Sequence, residues 1–317
     1  MTSFEDQYMT SSYMPTEPAD IVTGDDYTDT LGNKRHLLRK DPAHPVLTRH
    51  NAGGLEYLSF PMLDDTGLVK DMFTTRLGGI STGHLASLNL STSKGDEPEN
   101  VRENFNRIAS VIQSEPSDFV LSDQTHTTNV MVVTRSDAGK GLTRKRDYHD
   151  IDGLITNEKG LVLSTVYADC VPLYFLDPVN KVIGLSHSGR KGTVSRMGAC
   201  TVAKMHDSFG SDPADILACI GPSICANCYE VGPEVADEFI HAFPSPSDIS
   251  HILDRKPNEK YLLDLWNANK IVLKEAGILP EHIECTDICT CCNPEYLFSH
   301  RASKGLRGNI GAFMKLI

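Results

Sequence analysis

The stretch YADCVPLYFLDPVNKVIGLSHSGRKGT, residues 167–193, decides the fold. Two apolar runs, Val171–Leu176 and Val182–Ser186, flank Asp177-Pro178-Val179-Asn180-Lys181, where proline and asparagine break an extended pattern. The stretch reads as an antiparallel hairpin. Cys170 closes one run and His187 the other, symmetric about the turn. Directly opposed residues have Cβ atoms about 4.5–5.5 Å apart. This register therefore predicts a thiolate and an imidazole close enough to share a metal ion or to act as nucleophile and base. Beyond His187 the chain runs through Ser188-Gly189-Arg190-Lys191-Gly192 into a predicted helix. Such a junction has free N–H groups and a positive dipole end, which suit an anion or a thiolate.

Outward from the hairpin, β patterns dominate. Residues 119–134 read as two strands around a polar stretch that carries His126, and 152–169 continue the β pattern. ILACIGPSI (216–224) is a further buried strand. Helical spacing of Val101, Phe105, Ile108, Val111 and Ile112 predicts a helix over 100–113 with Asn100 as its cap. A second helix is predicted to end at Gly210, and amphipathic helices follow at 233–243 and 264–278, the last stopping at Gly277. Strands interrupted by occasional helices predict an α/β (α+β) fold, a single domain with mixed β-sheets flanked by helices. Residues 1–50 are polar and lack sustained periodicity, and are expected to be a flexible N-terminal extension to a catalytic domain over 51–317.

A formal net charge of −12 argues against broad binding to a phosphate backbone, so no nucleic-acid partner is expected. No run approaches the roughly 20 apolar residues of a membrane helix, and the N-terminus has neither a basic segment nor an apolar one, so no membrane partner and no secretory signal are expected. Nine cysteines, an odd number, all follow position 169, unlike a secreted disulfide framework. A cytoplasmic location with reduced thiols is the expectation.

His126 joins Cys170 and His187 as a third candidate ligand. Three protein ligands with one open position are the pattern of a catalytic zinc rather than a structural one. CANC (225–228) and CTDICTCC (285–292) also invite a structural zinc site. A closed four-thiolate site needs two well-spaced pairs, and the sequence reading finds no partner for CANC among Cys289, Cys291 and Cys292. No dinucleotide fingerprint or P-loop is present.

Ordered blocks from about residue 60 onward resemble the YfiH-type family. They include FTTRLGGIS (73–81), DQTH (123–126), DGLIT (152–156), ADCVPLYFLDP (168–178), HSGRKGT (187–193), IGPSICANCYEVG (220–232) and FSHRASKGLRG (298–308). That family was formerly labelled polyphenol oxidoreductase or laccase-domain and is associated with purine nucleoside phosphorylase activity. The resemblance implies a sandwich like that of deamidase toxins, zinc held by His126, Cys170 and His187, and phosphorolysis of adenosine, inosine, guanosine and methylthioadenosine beside adenosine deamination. Its implied partners are purine nucleosides and phosphate. Arg190-Lys191 stand where the family commonly has Trp-Arg, and His300 where it often has tyrosine. Arg76, Lys191 and Arg301 are the candidate phosphate contacts, Arg76 because it precedes Gly78-Gly79, where backbone can approach a ligand closely.

The laccase label predicts copper chemistry, but no two of the 12 histidines are separated by a single residue, the spacing that copper-oxidase histidine pairs would need. The alternative is a metal-free Cys–His amide hydrolase, with Cys170 as nucleophile and His187 as base, acting on peptidoglycan precursors or another amide. His126 separates the two, since a dyad tolerates its loss and a zinc site does not.

Overall fold

The computed structural model describes residues 19–317. Strands that are apolar on both faces must be covered on both faces. Val171–Asp177 and Val182–Ser188 are buried at every position, and two layers cover them. Leu173, Phe175 and Val182 pack toward the helices Met197–Phe209 and Leu265–Glu275, with Val202, Met205, Val272 and Leu273 across from them. Tyr174, Leu176, Ile183 and Leu185 face a second sheet that supplies Phe73, Leu163, Tyr167 and Met314. The outer face of that sheet is closed by the helix Pro98–Ile112 through Val101, Phe105 and Ile108, packed on Met72 and Phe313. The result is a helix–sheet–sheet–helix sandwich in one domain, the mixed α/β architecture predicted.

The hairpin lies in a six-stranded sheet ordered Ile283–Cys285, Leu217–Ile220, Val171–Asp177, Val182–Ser188, Gly153–Thr156, Val130–Val132. The seven-stranded sheet runs Asp20–Val22, Thr48–Ala52, Leu55–Ser59, Val69–Thr74, Ile310–Leu316, Val162–Tyr167, Phe119–Leu121. Each mixes antiparallel and parallel neighbours. The C-terminal strand Ile310–Leu316 sits inside its sheet between Val69–Thr74 and Val162–Tyr167.

Three expectations change. The hairpin register is two residues away from the predicted one: Asp177 pairs with Val182, Pro172 with His187 and Val171 with Ser188, which leaves Cys170 across from Gly189. The Asp177 carboxylate accepts the N–H groups of Val179 and Asn180 while Lys181 turns at φ 55°, so the loop is one residue shorter and Asp177 joins the ladder. A shift of two preserves the face on which each side chain lies, and Cys170 and His187 remain neighbours, now diagonally. The helix predicted to end at Gly210 is broken into Arg190–Val194 and Met197–Phe209, because Arg196 takes a left-handed φ of 66°.

The expected extension is the third. Residues 1–18 lie outside the described residues, but those from 20 onward are built into the fold. Asp20–Val22 pairs with Thr48–Ala52, Leu37 and Leu47 are core residues, and Arg39 bridges Asp25 and Asp287 at 2.8 and 2.9 Å. The boundary expected at residue 50 falls inside the strand Thr48–Ala52.

Candidate metal centre and its cavity

Ligand atoms of His126, Cys170 and His187 all lie within 4.8 Å of one another. Three chain segments converge to place them. His187 is carried by the second hairpin strand and is only 3% exposed. Its Nδ1 lies 2.7 Å from Asp152 Oδ1, which leaves Nε2 for a metal. Asp152 also gathers the loop that bears His126: its carboxylate accepts the backbone N–H groups of Thr125, His126 and Thr127 at 3.1, 3.1 and 2.8 Å. One buried carboxylate thus orients one ligand and fixes the backbone of another. Metal-bound imidazoles characteristically have such a partner on their second nitrogen.

Cys170 follows a bend at Asp169, which takes φ 83° and is held by Thr290 Oγ1 at 2.6 Å and by the Arg301 N–H at 2.7 Å. A non-glycine residue in that region is strained and persists only when its surroundings hold it there. Gly189, opposite Cys170, keeps the space between the ligands open: a Cβ there would lie 2.9 Å from Cys170 Sγ, 3.2 Å from His126 Cδ2 and 3.5 Å from His187 Nε2. The donor set, one thiolate and two imidazoles around a cleared space, fits zinc.

The electrostatics agree. Burial pushes the Cys170 thiol up, but the charge of His187 and hydrogen bonds with His126 and His187 outweigh it and bring it to about 6. Burial pulls His187 down, yet the Cys170 charge and Asp152 raise it to about 9. Burial also opposes ionisation of Asp152, and its bonds to His187 and the 125–127 backbone still hold it at about 2. The same neighbours therefore draw the Cys170 thiol toward its thiolate, the form that binds a metal.

His126, Cys170 and His187 form part of the wall of a cavity of about 530 Å³, a size ordinary for a small-molecule site. Phe105, Leu121, Leu142 and Val166 supply apolar wall, and Arg146, Arg307 and Asn309 supply polar groups. Arg307 Nε and Asn309 Oδ1 are buried without a hydrogen-bond partner among the described residues.

The cations chosen from the sequence lie elsewhere. Arg76 lines a different cavity, where it donates to Ala86 O and Pro294 O at 2.8 and 2.7 Å and stacks on Phe298. The Arg301 guanidinium donates to the carbonyls of Cys228 and Glu230 and lies over Tyr229. Lys191 is exposed on the short helix after Gly189. None of the three is in the wall of the cavity beside His126, Cys170 and His187. Sequence reasoning missed Asp152, Arg307 and Asn309, although Asp152 opens the DGLIT block and Arg307 lies in the FSHRASKGLRG block.

The cysteine reading also needs correction. Cys289-Thr290-Cys291-Cys292 contains the pair that seemed missing, Cys289 with Cys292, masked by the intervening Cys291. The sulfurs of Cys225, Cys228, Cys289 and Cys292 lie within 4.8 Å of one another.

Residues 70–317 match the family described as multi-copper polyphenol oxidoreductase laccase. Purine nucleoside phosphorylase YlmD of Bacillus subtilis is 37% identical over 246 residues, which are 76% of this chain and 86% of that protein. Purine nucleoside phosphorylase LACC1 of Mus musculus is 33% identical over 90% of this chain and 62% of its own length. The crystal structure of YlmD from Geobacillus stearothermophilus superposes with a TM-score of 0.78 at 31% identity, covering 86% of this chain and 99% of that one.

Proposed function

The chain belongs to this laccase-domain family of YlmD- and YfiH-type proteins, and on that premise we propose that it is a zinc-dependent purine nucleoside phosphorylase. Its substrates are adenosine, inosine, guanosine and methylthioadenosine, its products a free base and a pentose 1-phosphate, and adenosine deamination is a side activity. The observation that carries this reading is the shared wall: three converging ligands and two unpartnered polar groups, Arg307 Nε and Asn309 Oδ1, border one cavity of about 530 Å³.

Phosphorolysis needs a phosphate oxygen held at the anomeric carbon as the bond to the base breaks and positive charge develops on the sugar. Arg307 provides a cation for the phosphate, whereas Arg146, also in the wall, is held by Ser122 O and the Asp123 carboxylate. Asn309 Oδ1 accepts from a sugar hydroxyl or a base amine, which satisfies an acceptor otherwise buried alone. The apolar wall seats the purine and keeps water from competing with phosphate. His126, Cys170 and His187 would hold the zinc, with Asp152 fixing the His187 tautomer. When bound, zinc supplies Lewis acidity and lowers the pKa of a water at its open position, the chemistry that deamination of the purine ring requires.

The Asp152–His187–Cys170 chain, with its thiolate and imidazolium, favours one second reading, the Cys–His amide hydrolase. Incubation of inosine with and without phosphate distinguishes them. The phosphorylase reading expects hypoxanthine and ribose 1-phosphate in equal amounts only when phosphate is present. Release of base without phosphate, or no reaction with any nucleoside, overturns it.

A further inference from the structure

Among the described residues, a second group of metal-binding side chains outside the triad is formed by Cys225, Cys228, Cys289 and Cys292. We propose that these four cysteines bind a second zinc ion, a closed structural site that is separate from the triad. This inference does not rest on the phosphorylase reading.

The distances suit the ion. Zinc–thiolate bonds of about 2.3 Å in a tetrahedron set neighbouring sulfurs about 3.8 Å apart. Here Cys228 Sγ and Cys225 Sγ lie 3.5 and 4.0 Å from Cys292 Sγ. A disulfide would instead need one pair at about 2 Å. The sequence contributes two C-x-x-C elements, 225–228 and 289–292, from loops 60 residues apart that the fold brings together. An isolated Ser223–Cys289 bridge and the Thr290 N–H bond to Ser223 O join the loops.

Backbone donors and a cation stand beside the sulfurs. Cys289 Sγ accepts the backbone N–H groups of Cys225 and Cys292 at 3.2 and 3.4 Å, bonds that favour an anionic sulfur. The positive charge of Lys40 interacts with Cys225, Cys289 and Cys292, and so offsets part of the double negative charge that four thiolates leave around zinc. Cys225 and Cys289 are buried, Cys228 and Cys292 partly so. All four positions are filled by protein, leaving no open site for a substrate.

The ion would clip three segments. Lys40 N donates to Asp287 O, Leu38 N to Asn293 Oδ1, and Thr290 Oγ1 to Asp169, the strained residue before Cys170. The second site therefore braces the N-terminal segment and the bend that presents Cys170.

The test uses the full chain carrying H126A and C170A together, which removes two triad ligands and its only thiolate. We expect this protein to retain one zinc per chain against two in the wild type. On replacement with cobalt(II) alone, it should show the intense sulfur-to-metal absorption of a tetrathiolate site. Adding C289S should abolish both, and should that variant fail to fold, the cobalt spectrum of the double variant decides by itself. A double variant free of zinc, one that carries iron instead, or one with a Cys228–Cys292 disulfide after purification under reducing conditions would overturn the proposal. Nucleoside turnover enters none of these readings, so the phosphorylase assignment fails or stands separately.

Discussion

The triad, two histidines and a cysteine, and the four-cysteine cluster both gather metal-binding side chains and differ in closure. At the triad, Gly189 clears the space, one wall opens on the cavity, and a buried carboxylate orients the ligands. At the cluster, four sulfurs face one another, backbone N–H groups bond the sulfur of Cys289, and the neighbours are other chain segments. An open position serves chemistry and a filled one serves stability. The comparison teaches that ligand count alone does not assign a role: what faces the remaining side of the ion does.

The sharpest way to break this comparison is to cross the two sites. C289S should lower unfolding stability by on the order of 4 kcal/mol, the scale of a lost structural metal, while zinc remains at the triad. Urea denaturation with elemental analysis reads both, and an unchanged midpoint would erase the distinction. D152N should act in the opposite sense. It replaces the charged acceptor on His187 with a neutral amide and takes one of the two acceptor oxygens from the 125–127 loop, so triad zinc affinity should fall about 10–100-fold with the cluster ion unaffected, as competition with a chelator would show.

R307Q tests whether the open site faces phosphate. Loss of a charge-assisted bond predicts a rise in KM for phosphate of about tenfold or more, with KM for inosine nearly unchanged. An equal rise in both would place Arg307 in general support of the cavity. The smallest effect belongs to a control, Asp71, whose contacts are with Phe60 and Asp64. Burial and the Asp64 charge hold its carboxyl well above the usual range near 3.8. The folded state therefore keeps that proton after the unfolded chain has lost it, and stability falls as pH rises past about 4. D71N should melt higher than wild type at pH 8, the gain should vanish below about pH 4, and zinc content should not change.

How much of this was legible in the sequence varies with the length scale of the signal. The hairpin and its two ligands could be read because an apolar run has a fixed parity, and a two-residue shift of register leaves side chains on the same face. The helix Pro98–Ile112 could be read from its 3.6-residue spacing. Residues 20–50 could not, since their strands are three to five residues long, too short for a pattern, and are held by partners such as Asp287 far along the chain. Arg76 and Arg301 lie away from the triad cavity and donate to backbone carbonyls, partners that a cation in sequence does not announce. Asp152 gave no local sign of its role, as it acts through groups 25 to 35 residues away. The second cysteine pair was present in plain text and was obscured by Cys291.

The most direct test of the central claim pairs zinc analysis with phosphate-dependent inosine cleavage on wild type and on H126A. His126 is exposed, so its loss should not unfold the chain. The account predicts that H126A loses one zinc per chain together with phosphorolysis. A variant that cleaves inosine as the wild type does, or that loses activity while keeping its full complement of zinc, would contradict it.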